Sequence, residues 1–168
     1  MTQLFPFLIG LAMVLSSPAA AQTDGTTVPA DTAATAPDPV AAWTAERTRP
    51  LDAAGVDLSA FQWIARPVVV FADSPNDPQF VQQMELFAAR AEELALRDVV
   101  VIFDTDPAAR GDIRLQLRPR GFMLTLLGKD GQVKARKPRP WDVRELSRSI
   151  DKMPMRQQEM QDRRGTDR

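Results

Sequence analysis

Two continuous apolar runs, separated by one amphipathic segment, restrict the fold of this 168-residue chain more than any other feature. Residues 67–72 read PVVVFA and residues 99–103 read VVVIF. Continuous rather than alternating hydrophobicity is typical of strands that are covered on both faces. The intervening apolar residues recur at helical spacing: Phe80, Met84, Phe87, Ala91 and Leu94. The pattern predicts a βαβ unit with parallel strands and a right-handed crossover.

The ends of this helix are also marked in the sequence. Asp77 precedes Pro78, which is the pattern of an N-cap carboxylate followed by proline at the first helical position. We expect one helix from this point to about Arg97-Asp98, where the second apolar run follows.

The second half of the domain predicts a hairpin and a closing helix. Residues 122–127 (FMLTLL) and 132–136 (QVKAR) suit two antiparallel strands joined by an Asp-Gly turn. Asp142 with Glu145 forms a capping-box pattern ahead of an apolar stripe that Pro154 ends or kinks. Residues 113–118 fit a strand or a short helix equally well, and the apolar lead-in at 58–64 suits an edge strand.

The N-terminus has the features of a secretory signal peptide. An apolar run at 4–15 is followed by Ala19-Ala20-Ala21, an A-x-A cleavage pattern, and the run is shorter than the roughly 20 residues that a membrane span needs. We therefore expect cleavage after Ala21 and a periplasmic or secreted protein; an apolar tail that is not a signal is the alternative. The predicted organisation is a signal peptide (1–21), a disordered linker and lead-in (22–57), a folded domain (58–153) and a polar tail (154–168).

The order strand, helix, strand, short element, hairpin, helix is that of a thioredoxin-like domain. Four stretches carry a closer resemblance: LSAFQWIARPVVVFADSPNDPQF, RDVVVIFDTDP, LRPRGFMLTLLGKDGQVKARKP and IDKMPMRQQEM. Over residues 58–160 the chain is similar to a bacterial domain of unknown function of the DUDES type, which is thioredoxin- and peroxiredoxin-like and also occurs in secreted vertebrate matrix proteins. The resemblance implies an α/β, thioredoxin-like three-layer fold, with a central mixed sheet of about four strands and helices on both faces. It implies export and no established activity.

The composition excludes most of the chemistry known for such folds, because the chain has no Cys, His or Tyr. Thiol redox cycling, Ser-His-Asp triads and Cys or His metal sites are therefore impossible. In thioredoxins the reactive cysteine follows the first central strand, and here Ser74 and Asp77 stand at roughly that place. One hypothesis makes Ser74 a nucleophile; the alternative, which we favour, makes both residues caps of the turn and the helix.

Four aspartates follow the two predicted parallel strands: Asp73, Asp77, Asp104 and Asp106. Ligands bind at the carboxyl ends of strands in open α/β sheets, so these residues are the candidate binding edge. The cluster would be neutralised by Ca²⁺ or Mg²⁺, or by an arginine. We predict an arginine, with Arg118 and Arg120 as the candidates, and no metal or other cofactor.

Charge divides the chain: residues 1–109 carry a net −9 and residues 110–168 a net +8. The basic half either pairs with the acidic half or attracts acidic polymers or membrane surfaces. Trp63 and Trp141 either pack at the domain edge or stack on a ligand.

The function we expect is an exported, non-catalytic binding or scaffolding module for a protein or polymer partner in the envelope, with no nucleic acid and no membrane anchor after cleavage. An enzyme or divalent-metal binder at the Asp/Ser edge, and an acidic-polymer or membrane-surface binder, are the alternatives.

Overall fold

A computed structural model describes residues 38–166 and contains a five-stranded mixed sheet with helices packed on it. The strand order is β1-β3-β2-β4-β5; β1, β3 and β2 are parallel, and β4 runs antiparallel to both β2 and β5. This confirms the predicted thioredoxin-like α/β fold, with five strands rather than about four. The strands are β1 (Leu51–Asp52), β2 (Arg66–Phe71), β3 (Val99–Asp104), β4 (Met123–Leu127) and β5 (Val133–Lys137). The helices are α1 (Pro39–Ala45), α2 (Pro78–Ala88), α3 (Ala91–Ala95), α4 (Asp112–Leu117), α5 (Val143–Asp151) and α6 (Pro154–Thr166), with 3₁₀ turns at Leu58–Phe61 and Pro107–Ala109.

The continuous apolar strands are buried on both faces, as their sequence predicts. Alternate residues of β2 enter different cores because successive side chains of a strand point to opposite sides. Val68 and Val70 pack with the side chains of α2, α3 and α5, whereas Val69 and Phe71 pack with those of α1 and α4. The sheet is therefore the middle of three layers.

The edge strand lies upstream of the predicted place. Residues 58–61 form a 3₁₀ turn, started by Asp57, which accepts a hydrogen bond from the Ser59 amide. The edge strand is β1, where Leu51 pairs with Ile102. A two-residue strand shows no alternation in the sequence, so pattern reasoning does not detect it.

The other ambiguous or incorrect assignments concern helices. Residues 112–117 form helix α4, which settles the choice left open for that segment. The single helix predicted from Asp77 to about Arg97 is instead two helices, because the backbone leaves the helical region at Arg90 (φ −140°).

Both segments that flank the predicted domain contain helices: α1 corrects the expectation of disorder in part of the linker, and α6 occupies most of the predicted polar tail. Helix α1 lies in the predicted linker, and its Trp43 is 1% exposed and donates through Nε1 to the Val99 carbonyl oxygen at 3.3 Å. Helix α6 lies in the predicted polar tail and begins at Pro154, the residue expected to end a helix. The predicted signal peptide lies outside the described residues. Within residues 38–166, no helix combines the length and the apolar character needed to span a membrane.

Candidate functional site

The loop that follows β2 contains the residues that stand where a thioredoxin-like fold carries its reactive group. The Asp77 carboxylate accepts hydrogen bonds from the amides of Gln79 (2.8 Å) and Phe80 (3.3 Å), so it is the N-cap of α2. The Ser74 hydroxyl accepts from the Asn76 amide at 3.2 Å. Both side chains have the turn and capping roles that we favoured over a nucleophilic role.

These roles predict unequal losses of stability. Asp77→Ala should lower the free energy of unfolding by about 0.5–2 kcal/mol, the usual range for a lost N-cap. Ser74→Ala should cost less, because it removes one long hydrogen bond at an exposed turn. Urea denaturation of the two variants checks the order; a larger loss for Ser74→Ala would contradict the assignment.

An arginine neutralises the acidic edge, but it is not one of the predicted residues. Asp104 accepts two hydrogen bonds from Arg114, Nε to Oδ2 at 3.0 Å and Nη2 to Oδ1 at 2.9 Å. The same Nη2 donates to the carbonyl oxygen of Ala72, and Nη1 lies 3.8 Å from Asp73. Both side chains of the pair are nearly buried, so the ends of β2 and β3 are joined by one guanidinium.

Arg118 and Arg120, the predicted partners, are exposed and form no ion pair with the four aspartates in the described part of the chain. Helix α4 explains the difference. It ends at Leu117, and Arg118 is a left-handed C-cap (φ 48°), whereas Arg114 lies inside the helix and reaches the sheet.

The remaining aspartate, Asp106, is also a cap. Its carboxylate accepts from the amides of Ala108 and Ala109, which starts the 3₁₀ turn after β3. A cleft of about 210 Å³ lies beside it, lined by Asp52, Asp104 and Asp106. Within residues 38–166, no group of three or more carboxylates is placed to hold a metal ion.

A buried ionic cluster, which sequence analysis missed, lies at the opposite ends of the same two strands, where β2 and β3 begin. Arg66 is 1% exposed and donates to Glu159 of α6 at 2.8 Å and to the Arg97 carbonyl oxygen at 2.8 Å. Lys129 lies 3.0 Å from Glu159 and 2.9 Å from Asp98. The one sequence signal for this cluster is a charged residue, Arg66, beside a continuous apolar run.

The cluster shifts the protonation of its central carboxylate. Burial raises the pKa of Glu159, but hydrogen bonds from Arg66 and Lys129 outweigh burial and lower it to about 2, from an ordinary value of 4.5. Arg156 adds a further hydrogen bond to Glu159 at 3.2 Å. Glu159 is therefore ionised at any physiological pH and anchors α6 to the sheet.

The two tryptophans differ in environment. Trp141 is buried and donates through Nε1 to Glu145 at 3.1 Å, so it is a packing residue. Trp63 is 62% exposed and adopts a left-handed backbone conformation (φ 65°), which is unusual for a bulky side chain. Its amide donates to the Lys129 carbonyl oxygen at 2.7 Å, which ties this conformation to the hairpin turn.

Comparison with known proteins gives three findings. The family model described as "Domain of unknown function (DUF4174)" matches residues 57–159. Coiled-coil domain-containing protein 80 of Danio rerio is 33% identical over 135 residues, which cover 61% of this chain and 15% of that protein. The chain thus spans a small part of this relative's length. Among solved structures, the mitochondrial 2-Cys peroxiredoxin from Plasmodium falciparum is similar, with a TM-score of 0.42 and 21% identity over 57% of this chain and 79% of that chain.

Proposed function

We propose that this chain, which belongs to the DUF4174 family of domains of unknown function, is an exported module that binds a protein or polymer partner and catalyses no reaction of its own. The bacterial origin, the DUDES-type assignment and the periplasmic or secreted location that the sequence implies are parts of this proposal. The observation that carries it is Trp63, a large aromatic side chain that is exposed and held in a strained conformation.

The arrangement at the carboxyl ends of β2 and β3 supports the absence of catalysis. The side chains that occupy the place of a reactive group, Ser74 and Asp77, are engaged in a turn and a helix cap. The adjacent carboxylate, Asp104, is bound on both oxygens by Arg114. No Cys or His is present in the sequence to activate a nucleophile.

The conformation of Trp63 supports a binding role. A non-glycine residue in the left-handed region costs on the order of 1–3 kcal/mol and persists where surrounding contacts enforce it. Tryptophan is one of the residue types enriched among the few side chains that contribute most of the binding energy at protein interfaces. Ile64, next in the chain, is also substantially exposed, so the two residues form an apolar contact surface.

The pairing of charges favours this module over a binder of acidic polymers. Basic residues from the second half of the chain bond to carboxylates of the first half, as Arg114 does with Asp104 and Lys129 with Asp98. Part of the positive charge that the sequence concentrates there is therefore neutralised within the domain.

Quantitative capture from an envelope extract tests the binding role. The full chain and its Trp63→Ala variant are immobilised at equal density, and the retained proteins and polysaccharides are compared by mass spectrometry. Leu96→Ala is the matched control, because Leu96 is equally exposed (64%) and lies outside the Trp63-Ile64 surface. We expect the partner to be lost with Trp63→Ala and kept with Leu96→Ala; equal retention by all three proteins would reject this surface.

Export is tested by the N-terminus of the protein recovered from the periplasm or medium. Cleavage after Ala21 predicts that mass spectrometry finds Gln22 as the first residue. An intact Met1 on protein that remains in the cytoplasm would contradict the location.

A further inference from the structure

A cavity of about 290 Å³ lies between the hairpin turn and the start of α6, next to the buried ionic cluster. We call it the α6 cavity; its lining includes one carboxylate, Asp130, which pairs with Lys134. The other charged lining residues are the cations Arg66, Lys129 and Lys134, and the apolar ones are Met153, Pro154 and Met155. Its volume is just below the range for small-molecule sites, about 300–1,000 Å³, so only a small ligand fits.

Arg66 is the unusual member of this lining, because its side chain is 1% exposed and yet borders a cavity. Within residues 38–166, its hydrogen bonds to the Arg97 carbonyl oxygen and Glu159 use two of its five N–H donors. A buried guanidinium is costly unless its donors are satisfied, and its planar fork fits a carboxylate. The cavity thus has a preformed cation on its wall.

The network of ion pairs that includes Arg66 and Lys129, two residues of the cavity wall, does not balance in charge within residues 38–166. Lys134 pairs with Asp130 at 2.6 Å, but the carboxylates that contact Arg66 and Lys129 are shared with further arginines. Five cations therefore meet three carboxylates in the ion pairs connected to Arg66 and Lys129, an excess of two positive charges, and the separate Lys134–Asp130 pair adds no net charge. The five cations are Arg47, Arg66, Arg97, Lys129 and Arg156, and the three carboxylates are Asp98, Asp151 and Glu159.

The first turn of α6 gives the cavity two further features: the positive end of a helix dipole, which favours an anion, and an apolar wall. The amides at the start of a helix have no partner within that helix, and the helix dipole is positive there. Met153, Pro154 and Met155 present carbon and sulfur to the cavity, and the lining is mostly apolar. Methionine side chains adapt to ligands of different shape. An inorganic anion alone would leave this wall without a partner.

We infer that the α6 cavity is a binding site for a small alkyl carboxylate, whose carboxylate faces Arg66 and Lys129 and whose hydrocarbon chain lies against Met153 and Met155. This inference goes beyond the proposed binding of a protein or polymer partner, because it adds a small-molecule site that is formed by residues other than Trp63. The excess positive charge accounts for the carboxylate, and the methionines account for the alkyl group.

Methionine-methyl NMR of the full chain, with hexanoate as the probe, tests the site. Met153 and Met155 signals are assigned with the conservative variants Met153→Leu and Met155→Leu. We expect saturable shifts at these two methyls with millimolar hexanoate, while Met84 and Met123, which do not line the cavity, stay unchanged. Acetate, hexan-1-ol and inorganic phosphate should each bind at least about tenfold more weakly, since each lacks the alkyl chain or the carboxylate.

A charge variant and its matched control make the test specific. Met155→Asp places a carboxylate in the cavity at the first turn of α6, where an acidic residue is compatible with the helix dipole. Gln158→Asp adds the same charge to the same helix at an exposed position outside the lining. We expect Met155→Asp to weaken hexanoate binding at least about tenfold and Gln158→Asp to leave it nearly unchanged.

The inference is overturned if the Met153 and Met155 methyls do not shift, if hexan-1-ol or phosphate binds as well as hexanoate, or if the two aspartate variants behave alike. Any of these results leaves the capture experiment on Trp63 unaffected. A loss of capture with Trp63→Ala, together with no hexanoate-induced shift at Met153 and Met155, would support the proposed partner binding and reject the small-molecule site.

Discussion

Replacing Arg114 with methionine is expected to lower the free energy of unfolding by about 3–5 kcal/mol, the range for breaking one partner of a buried ion pair. The variant leaves the Asp104 carboxylate almost buried without the two guanidinium bonds that it accepts. It also removes the hydrogen bond that joins α4 to the Ala72 carbonyl oxygen and the contact of the guanidinium with the Phe71 ring. Chemical denaturation of the variant measures the loss.

A double variant separates lost charge pairing from lost packing. Asp104→Asn combined with Arg114→Met removes both charges, so much of the loss should be recovered if the unpaired carboxylate is its cause. Arg118→Met is the matched control, because Arg118 is the exposed residue that follows the same helix. It should change stability by no more than about 0.5 kcal/mol. A loss below about 1 kcal/mol for Arg114→Met would show that the pair does not hold this edge together.

The kind of neutralising group at this edge was predictable from the sequence, but the residue was not. Aspartates that follow adjacent parallel strands favour a counter-charge, and that argument uses only charge and topology. In the structure the counter-charge lies at Asp104 and Asp73, while Asp77 and Asp106 are caps. The identity of the arginine depends on whether residues 113–118 form a strand or a helix. Alternation at Ile113, Leu115 and Leu117 matched a strand, whereas Asp112 as a cap and Pro119 as an end matched a short helix. The segment forms helix α4, and Leu115 is exposed on it.

The parts of the fold with strong local signals were predicted correctly. Strands β2 and β3 follow from continuous apolar runs, and the start of α2 follows from Asp77-Pro78. Helices α1 and α6 have weaker apolar patterns, and their docking depends on contacts with residues distant in sequence. Trp43 reaches Val99, and Glu159 reaches Arg66, 93 residues away. Single-sequence periodicity contains no information on such pairs.

One of the two interactions of the capping box predicted at the start of α5 is confirmed. Asp142 accepts a hydrogen bond from the Arg144 amide, as an N-cap does. Glu145, which a capping box would turn back to the Asp142 amide, instead accepts from the indole of Trp141. A nearby indole donor therefore replaces the local backbone partner, which the spacing of the motif does not reveal.

The second large effect is expected at Glu159. Its replacement by glutamine should lower the free energy of unfolding by about 3 kcal/mol at neutral pH. The lower end of the range for buried pairs applies, because Arg66 is buried whereas Glu159 is partly exposed. Glutamine keeps the size and one acceptor, so the loss reports the charge that Arg66 and Lys129 both contact. Gln158→Ala, at an exposed position of the same helix, is the control and should change stability by no more than about 0.5 kcal/mol.

The loss caused by Glu159→Gln should depend on pH in a direction that the pKa fixes. The pKa of Glu159 is about 2 in the folded protein and 4.5 in its ordinary state, because its hydrogen bonds to Arg66 and Lys129 outweigh the effect of burial. A carboxylate with a lowered folded-state pKa contributes stability that is complete above the unfolded value and is lost as pH falls toward the folded value. The difference between the wild-type chain and Glu159→Gln should therefore be constant above about pH 5 and shrink between pH 4.5 and 2. Urea denaturation at steps across this interval measures it. A difference that stayed constant down to pH 2 would mean that the ionised carboxylate is not what holds α6 on the sheet.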